Sequence, residues 1–158
     1  MYIPTFEDVV AAHDRIRPYI HRTPVLTSSY LNGLTGAELF FKCENFQKAA
    51  AFKARGASNA VFGLTDEQAR KGVATHSSGN HGLSLAYAAG RRGIPCTVVM
   101  PRTAPQAKKD AVKGYGGRVV ECEPSTSSRE AVFAEVVAET GAEFVHPYND
   151  PRVIAGQA

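Results

Sequence analysis

The sequence predicts an α/β fold, a three-layer open parallel sheet with helices on both faces. Three observations predict it. From Gly72 onward, short apolar segments alternate with helix-length segments, each long enough to cross over between parallel strands. Glycines fall where those helices should stop, at Gly93, Gly114 and Gly141, as a left-handed cap residue would. The composition, 44% hydrophobic and 21% charged over 158 residues, is that of a globular chain able to bury one core.

The elements follow in order. Thr5-x-x-Asp8 resembles a capping box, so a first helix starts after Thr5. Val9, Val10, Ala12 and Ile16 give it an apolar face, and Pro18 lies near its end. Residues 21–36, punctuated by Pro24, Asn32, Gly33 and Gly36, read as loop with short pieces. Residues 38–44 (ELFFKCE) read as a strand, 51–62 as a helix and 66–70 as a shorter one. Strands are predicted at 73–76, 96–100, 118–122 and 143–146, with helices at 79–91, 105–113 and 127–140 between them. Residues 150–155 read as the start of one more helix. A domain rarely stops within such a turn, so the chain is expected to be one piece of a longer protein.

Charge and cysteine usage exclude several function classes. The net charge is only +3, and Arg91-Arg92 and Lys108-Lys109 are short pairs, not a basic stripe, which argues against nucleic acid as a partner. No segment approaches the roughly 20 apolar residues of a membrane helix, and no apolar leader follows a basic start. Cys43, Cys96 and Cys122 form no CxxC pair and read as small buried hydrophobes in a reducing, cytoplasmic setting. No two histidines stand at ligand spacing, so no metal site is expected.

Two segments carry chemistry. One is Lys42-Cys-Glu-Asn-Phe-Gln-Lys-Ala-Ala-Ala-Phe-Lys-Ala-Arg-Gly-Ala57; the other is Thr75-His-Ser-Ser-Gly-Asn-His-Gly82. The second is a turn between a strand and a helix, where open α/β sheets place ligands. Its backbone N–H groups, with Ser77, Ser78 and Asn80, suit a carboxylate or phosphate. On spacing alone a plain N-cap cluster with a glycine hinge explains the same residues. A noncatalytic anion- or nucleotide-binding α/β module therefore stays open at this point.

Together the two segments resemble the paired signatures of the pyridoxal-phosphate (PLP) dependent serine/threonine dehydratase and serine racemase family, of fold type II. His21-Arg-Thr-Pro24 and Pro101 add to the resemblance, which spans essentially the whole chain. It implies that Lys53 forms the internal aldimine with pyridoxal 5'-phosphate, that Phe52 packs beside the cofactor ring and that Asn80 bonds the ring's phenolic oxygen. Ser77, Asn80 and His81 would hold the substrate carboxylate. Ser78 would lie on the face opposite Lys53, where racemases place a second acid/base. The chemistry implied is an ammonia-lyase (dehydratase) turning threonine, serine or a related β-hydroxy amino acid into a 2-oxo acid and ammonia. The alternative within the family is a serine or hydroxyaspartate racemase. Arg55 reads as a structural ion-pair partner and His76 as a strand-end residue.

The resemblance also implies the organisation. Residues 1–71 would be the N-terminal part of a large PLP domain, 72–148 a small α/β domain, and 149–158 the start of the return to the large one. The family's phosphate cradle lies beyond Ala158, so the 158-residue chain alone is expected to be inactive and to bind PLP poorly. The parent enzyme would be a homo-oligomer acting on a small amino acid. One departure stands beside the site: Ala50 replaces the glycine that the family usually has there. Should that position need a positive φ, alanine would strain it.

Overall fold

The structure is a computed structural model that describes residues 2–158. Helix α1 (Phe6–Ile16) starts in the predicted capping box, with the Thr5 side chain accepting from the Asp8 N–H and the Asp8 carboxylate accepting from the Thr5 N–H. Ala12 and Ile16 face the core, whereas Val10 is exposed. Strand β1 (Val25–Leu26) pairs antiparallel with β2 (Phe41–Lys42), and helix α2 (Ser29–Thr35) lies between them. The predicted strand over residues 38–44 thus shortens to two residues. Its hydrogen-bonded partner is itself two residues long, and both strands are exposed.

Two 3-10 turns, Glu44–Phe46 and Lys48–Ala50, lead into helix α3 (Lys53–Phe62). The helix begins two residues later than predicted. Ala49 and Ala50 take left-handed angles (φ 54° and 52°), and Ala51 is extended at φ −156°, so helix can start only after them. Helix α4 (Asp66–Lys71) ends at Gly72, from which the parallel sheet begins.

The sheet comprises β3 (Val73–His76), β4 (Cys96–Pro101), β5 (Arg118–Cys122) and β6 (Glu143–Phe144), in the order β5-β4-β3-β6. All its pairings are parallel. The crossovers run through α5 (Asn80–Arg92), α6 (Gln106–Gly114) and α7 (Thr126–Thr140). Alternation along the strands separates two cores. Val73, Val98 and Met100 pack with α3, α5 and α6, while Ala74, Val99 and Cys122 pack with Phe133 and Val136 of α7. Three layers result, as the alternation of segments predicts.

Gly93 and Gly141 are left-handed caps of α5 and α7. Gly114 is not. It is the last residue of α6, and the left-handed position falls at Gly116 (φ 84°). Helix α8 (Pro151–Gln157) packs back on α3 through two glycines. A Cβ on Gly56 would lie 2.5 Å from the Val153 carbonyl oxygen, and one on Gly156 would lie 2.6 Å from Asn59 Cβ. The Asn59 amide also donates to the Arg152 carbonyl at 2.8 Å, fixing the crossing. Among the described residues, no helix is long and apolar enough to cross a membrane.

Candidate active site

The turn Ser77–Gly79 follows β3 directly and opens α5. The ladder continues one residue past the strand, with the Ser77 N–H donating to the Val99 carbonyl at 3.1 Å. The Gly79 N–H then donates to Ser77 Oγ at 3.3 Å. Helix α5 can start this close to the strand only because residue 82 is glycine: a Cβ there would lie 2.5 Å from the Ser77 carbonyl oxygen. Among the described residues, no side chain caps α5. Its first-turn N–H groups therefore lie at the carboxyl end of the sheet, where an anion is favoured.

Lys53 is the first residue of α3, and its side chain reaches across to the segment after β6. There Nζ donates to the Pro147 carbonyl at 2.7 Å. Desolvation lowers the pKa of this amine from its ordinary value. Nζ also stands 5.1 Å from the centroid of the Phe52 ring, itself 45% exposed. His81, only 3% exposed, uses Nε2 to donate to the Val145 carbonyl at 3.0 Å. That bond requires the Nε2–H tautomer, so Nδ1 is an acceptor, and it has no protein partner among the described residues. Burial pushes the His81 pKa down to about 4, with the Lys53 and His146 charges acting in the same direction. Lys53 and His81, from different helices, are thus held by carbonyls two residues apart on one short segment.

The remaining predicted residues divide. Ser77 and Asn80 belong to the same turn as His81, with Asn80 exposed at the helix start. Ser78 faces a cavity of about 190 Å³ lined also by Ser125, Thr126 and Arg129. Phe52 lines a larger cavity of about 690 Å³ between α1, α8 and Arg55, which Lys53 does not line. Size does not locate the chemistry here; the partly buried amine and the uncapped helix start do. Arg55 pairs bidentately with Glu44, Nε at 2.8 Å and Nη2 at 2.7 Å, and holds that carboxyl down at about 2. It is a strut, as the sequence suggests. His76 ends β3 within a cluster of Phe133, Phe144 and His146. Cys96 and Cys122 are buried, Cys43 partly so, and all three are free thiols. No cluster that could hold a metal ion occurs among the described residues.

Sequence reasoning missed the segment Val145–Asp150, whose backbone carbonyls hold Lys53 and His81. Its partners are main-chain atoms, which leave no residue-type signature. The His146-Pro147 pair marks the segment only as extended backbone, and does not single out the Val145 or Pro147 carbonyl.

The residues present suit pyridoxal phosphate. A desolvated primary amine with an aromatic ring beside it is tied to the segment after β6. The same segment holds His81, whose other ring nitrogen is buried and unpartnered among the described residues, at the uncapped start of α5. The sequence pattern of a family described as pyridoxal-phosphate dependent enzyme matches residues 16–158, and the chain belongs to that family. It is 75% identical over 157 residues to the beta-hydroxyaspartate dehydratase of Paracoccus denitrificans (strain Pd 1222), covering 99% of this chain and 50% of the relative. It is 55% identical to the serine racemase of Arabidopsis thaliana over 99% of this chain and 47% of the relative. Its structure superposes on maize serine racemase with a TM-score of 0.96 at 51% identity, covering 98% of this chain and 47% of that one. The solved threonine deaminase of T.th. gives a TM-score of 0.89 at 44% identity, over 97% and 48% of the two chains. The chain spans about half the length of these relatives.

Proposed function

We propose that this chain supplies the amine-bearing half of an ammonia-lyase that converts a β-hydroxy amino acid to a 2-oxo acid and ammonia. β-Hydroxyaspartate is the first substrate to test, given the 75% identity to a dehydratase named for it, ahead of threonine and serine. The observation that carries the reading is that Lys53 of α3 and His81 of α5 are both bonded to carbonyls of the one segment after β6.

Lys53 would hold the cofactor covalently, Phe52 would flank its ring and Asn80 would bond its phenolic oxygen. The cofactor, once bound, supplies an electron sink that makes the substrate Cα–H acidic. Ser77, Asn80, His81 and the first-turn N–H groups of α5 would orient the substrate carboxylate. Once the substrate's own amino group has displaced it from the cofactor, the freed Lys53 amine, its pKa lowered by desolvation, would be suited to take the Cα proton. Loss of the β-hydroxyl as water, tautomerisation and hydrolysis then release the 2-oxo acid and ammonia. Burial keeps His81 neutral at pH 7, so it adds no positive charge to repel that amine.

A racemase is the second reading. Ser78 faces its own cavity at the same turn, and serine racemases are among the relatives above half identity. Returning the proton from a second face needs such a group. We assign residues 1–71 and 149–158 to a large domain and 72–148 to a small one. In the whole enzyme, a small-molecule enzyme of a reducing cytoplasm and a homo-oligomer, the remaining large-domain segment would cover the exposed apolar face of the first part. Assay of the 158-residue chain with hydroxyaspartate, threonine and serine tests this. Little or no 2-oxo acid should form from the chain alone, and vigorous turnover would refute the division. Chiral analysis of the amino acid recovered from a complete enzyme separates lyase from racemase.

A further inference from the structure

The peptide unit between Pro147 and Tyr148 is bonded at both ends. Its C=O accepts from Lys53 Nζ at 2.7 Å, and its N–H donates to His146 Nδ1 at 3.3 Å. The Asn149 N–H donates to the same Nδ1 at 3.0 Å. A trans peptide is planar, with its N–H and C=O pointing in opposite directions. Fixing the N–H on the imidazole therefore aims the carbonyl at the lysine. Two N–H donors converging on Nδ1 require a lone pair there, so the ring is the neutral Nε2–H tautomer. Protonation would put a third N–H against the other two.

We propose that His146 is a positioning residue for Lys53: its neutral ring orients the Pro147 carbonyl that holds the amine, and its protonation frees the amine. The proposal rests on Lys53 being the reactive amine. His146 faces His76 from β3 at a ring separation of 6.1 Å, Phe144 and Tyr148 from its own segment, and the carboxylate of Asp150. It also acts on His81 of α5, and Arg129 and Glu130 of α7 act on its neighbour His76. Asp150 favours the charged ring, but its carboxylate is engaged by Arg152 at 2.6 Å. Desolvation outweighs it and keeps the His146 pKa below the ordinary histidine value. The clamp is therefore closed at pH 7 and opens as acid is added.

Proton exchange at the lysine ammonium groups, read by nitrogen-detected NMR, reports this directly. The quantity is the exchange rate of Lys53 relative to exposed Lys108 in the same sample. The hydrogen bond keeps the ratio low near pH 7, and it should rise about fivefold as His146 becomes protonated. In His146→Asn the amide oxygen can accept the same two N–H groups without titrating, so the ratio should stay low across the range. In His146→Ala it should stay high. A wild-type ratio indifferent to His146 protonation, or a pH course in His146→Asn that copies the wild type, overturns the proposal. Should His146→Asn fail to fold, the wild-type Tyr148 and Asn149 amide protons decide. They must move upfield with the midpoint of the His146 ring, and amides that stay put refute the coupling. No cofactor enters these measurements, so their failure would leave the assignment of Lys53 to pyridoxal phosphate intact.

Discussion

His81 is buried as a neutral ring, and its effect on stability has a definite sign. Its pKa of about 4 lies below the ordinary 6.5, so the unfolded chain binds the proton more tightly. Stability attached to His81 is whole above pH 6.5 and is lost as the pH falls toward 4, by up to about 3 kcal/mol. Urea unfolding at pH 7 and pH 4.5 should show that loss, and His81→Asn should shrink it. Ala49 and Ala50 carry strain of another kind, since left-handed angles cost an alanine about 1 kcal/mol. Ala50→Gly should raise stability by about 1 kcal/mol and the melting temperature by about 2–4 °C; a lower melting temperature would contradict the strained geometry. The sequence made Lys53, the serine-glycine turn and the Ala50 departure legible, because each depends on residue type. It hid the role of the Pro147 carbonyl, because any residue could present that atom.

At the scale of elements, helices were read best where caps are chemical. Thr5, Gly93 and Gly141 mark their helix ends as predicted. Boundaries failed where backbone conformation outweighed pattern. The Ala49-Ala50 turn delays α3, and the left-handed position after α6 falls two residues beyond Gly114. The 38–44 segment has strand composition, yet pairs with only two residues, since periodicity does not reveal how long a partner is. The α3–α8 contact was likewise unreadable, because a glycine within a helix looks like a mere weakness until its neighbour is known. Gly56→Ala tests that contact. The added methyl would meet the Val153 carbonyl and Val153 Cγ1 within 2.9 Å, and overpacking of this kind costs about 1–3 kcal/mol. Chemical denaturation should show that loss, whereas Gly33→Ala, where nothing lies within 4 Å of the new methyl, should change stability by far less.

For the whole molecule, two cores flank one parallel sheet, while the segment before it leaves large apolar side chains in solvent. Ile3, Phe6, Tyr30 and Phe40 are each more than two-thirds exposed. Apolar side chains left this exposed offer sites for a hydrophobic probe. The 158-residue chain should therefore bind a hydrophobic dye at pH 7, with its near-ultraviolet circular dichroism still that of a packed fold. Dye binding that appears only when that signal is lost would contradict an exposed native face. The central claim is narrower and concerns one amine. Incubating a complete enzyme that carries this chain with pyridoxal 5'-phosphate, reducing with borohydride and mapping the peptides measures where the aldehyde is captured. The account predicts that the phosphopyridoxyl group is concentrated on Lys53, well above its level on Lys42, Lys48 or Lys108. Label spread evenly over the lysines, or gathered on another one, would contradict it.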